Sequence, residues 1–204
     1  MRTLKFLIIA LFAFLSLNTF AQNNETSPKP IYERDGLQIT PSDFFRHSLQ
    51  VGYIKRLKEG KQSLVLTPSI VLKKTDNESI TGFKAGVQYR FYLNYNKFST
   101  QEKSIRGYAA PYYRFSSIKK TDSDFWTDFG ITEEREGTMV SNEIGMLMGF
   151  EVNFFERMHL DVFGGGGTRF SNNEGNLGTI DDSIIGYGYT GIKPTLGMNI
   201  GFAF

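Results

Sequence analysis

The chain contains no cysteine. Disulfides, thiolate metal centres and cysteine nucleophiles are therefore excluded. Histidine is almost as scarce, with only His47 and His159 available for imidazole chemistry, and Trp126 is the one tryptophan. Charge of one sign is lacking too. The 23 basic residues nearly balance 21 acidic ones, so no basic surplus exists of the kind a nucleic-acid partner demands. The longest apolar run, Phe6 to Leu15, is ten residues, half of the roughly 20 needed for a transmembrane helix. After residue 21 there is no helical periodicity at all.

What is present begins with that short run. Arg2 and Lys5 precede it, and Ser16 to Ala21 follows it as a more polar stretch. Thr19 and Ala21 supply the small residues at −3 and −1 before Gln22. Residues 1–21 thus read as a cleaved signal peptide, which carries the protein across the inner membrane. Removing them leaves a formally neutral chain. Residues 22–35, polar with Pro28 and Pro30, read as a flexible lead-in.

From residue 36 to 204 the sequence is a series of alternating segments. His47–Leu57 carries Leu49, Val51 and Tyr53 on one face, and Lys58–Lys61 turns it back. Leu64, Leu66, Ile70 and Leu72 mark the next strand, followed by a polar loop over 74–79. Phe83 to Tyr95 alternates most clearly, with Lys84, Gly86, Gln88, Arg90, Tyr92 and Asn94 on the opposite face. Further strands are expected at 105–118, 140–154, 159–170 and 192–204. That makes seven. Bacterial single-chain membrane barrels have even strand counts, so Gly36–Ser42, with Leu37 and Ile39 before Pro41, is assigned as the eighth.

The expected fold is an all-β, eight-stranded antiparallel transmembrane β-barrel, an up-and-down meander. Short turns after 57, after 95 and at 155–157 alternate with loops at 74–81, 119–137 and 171–190, which puts the C-terminus in the periplasm. The apolar faces are assigned to outer-membrane lipid and the polar faces to the interior. Lys84, Arg114, Glu143, Arg169 and Lys193 would then lie inside near the outer rim, and Arg90, Glu151 and Asp161 inside toward the periplasm. Aromatics form two levels: Tyr53, Tyr95, Phe154, Phe202 and Phe204 at one end, Phe83, Phe115 and Phe170 at the other. Pro68, Pro111 and Pro194 fall inside strands and are expected to mark bulges or portions beyond the hydrocarbon. The run Gly164–Gly167 lacks the helix and Lys-Ser/Thr of a phosphate loop and reads as close packing or strong curvature.

Several stretches resemble uncharacterised small outer-membrane β-barrels of the Bacteroidota type. They are Leu37–Pro41, Leu49–Tyr53 through Arg56, Val87–Tyr92, Gly107–Arg114, Leu160–Phe170 and Lys193–Phe204. The quadruple glycine departs from that family's usual alternation of glycine with bulky residues. A terminal phenylalanine closing an alternating strand also resembles the C-terminal signal read by the outer-membrane insertion machinery. The resemblance implies an eight-stranded barrel and transfers no catalytic, cofactor or metal residue.

Function is read less directly. His159 and Asp161 share a polar face and form the one tempting acid–base pair, yet they lie at the periplasmic end, whereas barrel enzymes acting on lipid A work at the outer leaflet. His47 reads as a rim residue. Loop 119–137 carries Trp126 with Phe125 and Phe129 among acids from Asp122 to Glu136, and could anchor a surface partner or fold over the mouth. Asp122, Asp124, Asp181 and Asp182 lack a recognisable calcium-loop spacing. Eight strands leave an interior filled by side chains, which disfavours a wide channel. The expectation is a small non-enzymatic barrel with a structural or surface-interaction role, binding no cofactor. The alternatives are an accessory subunit of an envelope machine and a soluble lipid-binding barrel.

Overall fold

In a computed structural model the protein is described over residues 33–75, 78–93, 104–126, 131–154, 157–175 and 188–204. Eight antiparallel strands follow one another in chain order and close into a barrel: β1 Gly36–Ile39, β2 Ser48–Leu57, β3 Gln62–Lys74, β4 Glu78–Tyr92, β5 Ser104–Trp126, β6 Ile131–Phe154, β7 Met158–Gly175 and β8 Gly191–Ala203. The closure joins β1 to β8, pairing Gly36 with Ala203 and Ile39 with Ile200. The end of the barrel that holds Gly36 and Ala203 is called the lower end here. The other, where β5 turns into β6, is the upper end.

Alternation decides which way each side chain points. Ile144, Met146, Met148 and Phe150 of β6 are exposed on the outer wall, while Glu143, Leu147, Glu151 and Asn153 are buried inside. The same division holds on β4, with Phe83 and Phe91 outside and Gln88, Arg90 and Tyr92 inside. Inward glycines sit against the largest inward rings. A Cβ at Gly149 would meet the Tyr108 ring at 2.6 Å, and one at Gly197 would meet Phe163 at 2.4 Å. Glycine opposite an aromatic is how eight strands fill their interior.

The lower turn between β2 and β3 forms as expected over Lys58–Lys61. Lys58, Glu59 and Gly60 all take positive φ, and the Gly60 N–H donates to the Leu57 carbonyl at 3.0 Å. At the upper end the expected loops are largely strand. Where a loop was expected over 119–137, residues 119–126 and 131–137 are strand: β5 and β6 stay paired from Ser104–Asn153 up to Trp126–Ile131. Likewise β7 runs on to Gly175, and β4 begins at Glu78. These extensions project past their neighbours, so both faces carry polar residues and no apolar alternation announces them.

The first strand is shorter than expected. It stops at Ile39, and Pro41–Arg46, including Ser42, forms a 3-10 helix that ends on His47 in the left-handed conformation. Proline 41 has no N–H to continue the β1–β8 ladder. Continued alternation would also turn Asp43 onto the apolar outer wall.

The prolines mark no bulges. The β2–β3 register is the same on both sides of the gap at Val51–Pro68, and the β4–β5 register is the same on both sides of Tyr89–Pro111. On their other sides, Pro68 pairs with Ala85 and Pro111 with Met146 without interruption. Pro68 and Pro111 therefore each direct the missing donor toward one neighbour and break one ladder locally. The quadruple glycine is also in regular register, Gly164–Gly167 pairing with Leu196–Lys193. Its inward members explain the composition: a Cβ at Gly165 would lie 2.2 Å from the Met146 carbonyl oxygen, and one at Gly167 2.4 Å from that of Ile144. Only glycine leaves room for so close an approach of the two backbones.

Candidate functional site

Among the described residues, chemistry-bearing side chains converge chiefly in the interior, and inward positions of β6 give its levels from bottom to top. At the lower level Glu151 accepts hydrogen bonds from Arg56 at 2.7 Å, Arg106 at 2.6 Å and the Tyr92 hydroxyl at 2.8 Å. Arg90 approaches it at 3.7 Å and binds Asp161 at 2.8 Å. Asp161 also accepts from Tyr108 at 2.8 Å and Asn199 at 2.9 Å. All of these charged groups are buried. Three guanidinium groups thus enclose two carboxylates, and such pairs hold because each oxygen is satisfied by charge-assisted donors.

Above this lies an aromatic layer of Tyr92, Tyr108, Ala110, Tyr112, Leu147 and Phe163. Next comes Glu143, shared by Arg169 at 2.8 Å, Arg114 at 3.3 Å and Lys193 at 3.5 Å, with the Tyr112 hydroxyl at 2.8 Å. One arrangement recurs at all three carboxylates. A tyrosine donates its hydroxyl to the carboxylate while an arginine lies over its ring, Arg106 on Tyr92 at 4.1 Å, Arg90 on Tyr108 at 4.5 Å and Arg114 on Tyr112 at 5.5 Å. The ring face attracts the cation and the ring edge carries the donor. A second apolar layer, Val71, Ile80, Ile118 and Met139, sits at the top.

Every inward charge expected from the sequence is where alternation put it. Arg90, Glu151 and Asp161 meet below, and Arg114, Glu143, Arg169 and Lys193 meet above. Lys84 sits one level higher, paired with Ser69 and Ser116. Arg56, Arg106 and the three tyrosines were not singled out by the sequence reading. Their inward parity was visible, but which carboxylate each would reach depends on the register between strands.

The His159–Asp161 pair does share the inner face. His159 is fully buried, and neither ring nitrogen has a hydrogen-bond partner among the described residues. Asp161 already accepts from three donors, and among the described residues no hydrogen bond joins it to the imidazole, as an acid–base pair would need. His47 is an exposed residue at the upper rim. Phe125, Trp126, Asp122 and Asp124 belong to the extended hairpin, and Phe129, Asp181 and Asp182 lie outside the described residues. At the upper rim Glu78 binds Lys73, with Lys120 at 3.4 Å. The Lys73 hydrogen bond holds its carboxyl below the usual range.

The short β1 leaves a seam. Above Ile200, β8 has no strand partner on the β1 side among the described residues, and the 3-10 helix packs between it and β2. The Phe204 N–H donates toward Asp35 on that side, and the Ala203 N–H donates toward Arg157 on the other. Parity along an unbroken register therefore turns the N–H groups of Ile192, Leu196 and Met198 toward the seam. Pro194 belongs to this same set, so its missing donor costs no ladder bond. At the base of the seam Gln50 donates to the Thr40 hydroxyl at 2.7 Å, which donates to Asn199 at 2.7 Å.

No family model and no curated protein matches the chain. Among solved structures it is similar to the N-terminal β-barrel domain of Pseudomonas aeruginosa OprF, with 14% identity and a TM-score of 0.39 over 84% of this chain and 98% of that one.

Proposed function

We propose that this protein is a small non-enzymatic barrel of the bacterial outer membrane, acting structurally or through surface contacts of its upper hairpins. The observation that carries the reading is the inversion of its two faces. Arg90, Glu151 and Asp161 are fully buried, whereas Met148, Ile192 and Leu196 are 69%, 78% and 83% exposed on the outer wall. A soluble protein does not tolerate so continuous an apolar surface around a charged interior, and a soluble lipid-binding barrel has the faces the other way round. A closed barrel in lipid accounts for both.

The lower end then faces the periplasm and the β5–β6 hairpin projects outside, a reading supported by the short turn at Lys58–Lys61 below and the long paired extension of β5 and β6 above. The filled aromatic layer argues against a wide channel. The inward, fully committed Asp161 and buried His159 argue against a hydrolytic pair. The extended hairpin, with Trp126 near its tip, is the surface offered to a partner.

Fractionation and gel migration test the membrane reading. The protein is expected in the outer-membrane fraction and to migrate differently in detergent with and without heating. Recovery from the soluble periplasm without detergent would refute it. Protease cleavage within 119–137 on intact cells supports the outward hairpin, whereas protection there with cleavage at 58–61 points to a periplasmic role.

A further inference from the structure

The seam between β8 and β2 is a break in a wall that must otherwise satisfy every backbone group internally. In hydrocarbon, an open sheet edge is tolerated only where it is buried in protein or lines a water-filled cavity. The N–H groups of Ile192, Leu196 and Met198 face the seam, and among the described residues no backbone hydrogen bond joins the helix Pro41–Arg46 to β8. On the outer side stand exposed Ile192, Leu196, Phe44 and Phe45. On the inner side of the same strand Lys193 reaches Glu143, the carboxylate it shares with Arg114 and Arg169. Among the described residues, Glu143 is thus the shared partner of three basic side chains. Ser69, one level above and 2% exposed, has a hydroxyl without a hydrogen-bond partner. Apolar outside, donor-lined in the gap and cationic within, the seam matches the three parts of one kind of molecule.

We propose that the upper seam is a lateral binding site for an anionic amphiphile of the membrane. Its phosphate- or carboxylate-bearing head is held by Lys193 and Arg114, its polar linkage accepts from the β8 edge, and its chains remain outside against Leu196 and Phe44. This rests on the membrane-spanning reading. An added β-strand is the weaker occupant, because the helix already packs on both β2 and β8 and the Gln50–Thr40–Asn199 link closes the base.

The test uses the full chain in neutral detergent micelles, titrated with dihexanoyl phosphatidic acid, dihexanoyl phosphatidylcholine or inorganic phosphate while amide resonances are followed. Phosphatidic acid is expected to shift Ile192, Leu196 and Met198 saturably, leaving the Lys58–Lys61 turn unmoved. Phosphatidylcholine and inorganic phosphate are expected to bind more weakly. Lys193→Gln and, independently, Arg114→Gln should each weaken phosphatidic acid by about tenfold, with heat-modifiable migration confirming that each variant folds. The proposal is overturned by an absence of saturable seam shifts, by inorganic phosphate matching the amphiphile, or by unchanged affinity in both variants. Concentration-dependent pairing of two β8 edges would overturn it in favour of a second copy. Failure here leaves the membrane reading standing, because fractionation and heat-modifiability are read on the wild type without ligand.

Discussion

Glu151 is where the interior has most at stake. It takes hydrogen bonds from Arg56, Arg106 and Tyr92 with no exposure to solvent. Glu151→Gln keeps the shape but leaves guanidinium groups buried without their counter-charge. We expect a loss of about 3–5 kcal/mol in reversible urea unfolding from micelles; a loss below about 1 kcal/mol would mean that water or the remaining acids compensate. The glycine run gives a second residue-scale test with an internal control. Gly165→Ala puts a methyl against the Met146 carbonyl oxygen, backbone that cannot swing aside, whereas Gly164→Ala points outward to Leu196 at 3.5 Å. The first should cost about 1–3 kcal/mol and the second close to nothing. Inward parity at Glu151 was legible in the sequence, because it follows from alternation alone. The reason for glycine at 165 was not, since the close approach comes from a neighbouring strand far away in the chain.

Among the elements, β8 carries two kinds of backbone. Its odd-numbered residues donate toward β7 and its even-numbered residues toward β1 or the open seam. In hydrogen exchange from micelles, Lys193, Thr195 and Gly197 should therefore be protected while Ile192, Leu196 and Met198 exchange much faster. Below Ile39 the difference should vanish, with Ile200 and Phe202 protected by β1. Uniform protection along the strand would show the seam sealed by another strand. The sequence supported the lower half of this picture and missed the upper half for a specific reason. Leu37 and Ile39 announce a strand, but the pattern is too short to say that Pro41 ends it as a helix. The hairpin over 119–137 was missed for a related reason, its ladder being held by backbone pairing with no apolar face to advertise it.

For the molecule as a whole, the proposed membrane location makes stability depend on the depth at which a side chain would meet lipid. Met148 is 69% exposed on β6, in register through Gly164 with Leu196 near the middle of β8, and level with the aromatic layer through its neighbour Leu147. Leu93 is equally exposed, yet it lies one residue past the end of β4, at the lower rim. A charge at mid-wall meets hydrocarbon, whereas a charge at the rim can reach water. Met148→Arg should therefore cost about 2–4 kcal/mol in the membrane-embedded barrel, and Leu93→Arg only about 0–1 kcal/mol. Were the outer wall bathed in water, both arginines would be harmless, because each replaces an exposed apolar side chain. Unfolding titrations of the two variants in lipid vesicles thus measure the solvent around the barrel, and equal tolerance at the two positions would remove the membrane from the explanation of its inverted faces.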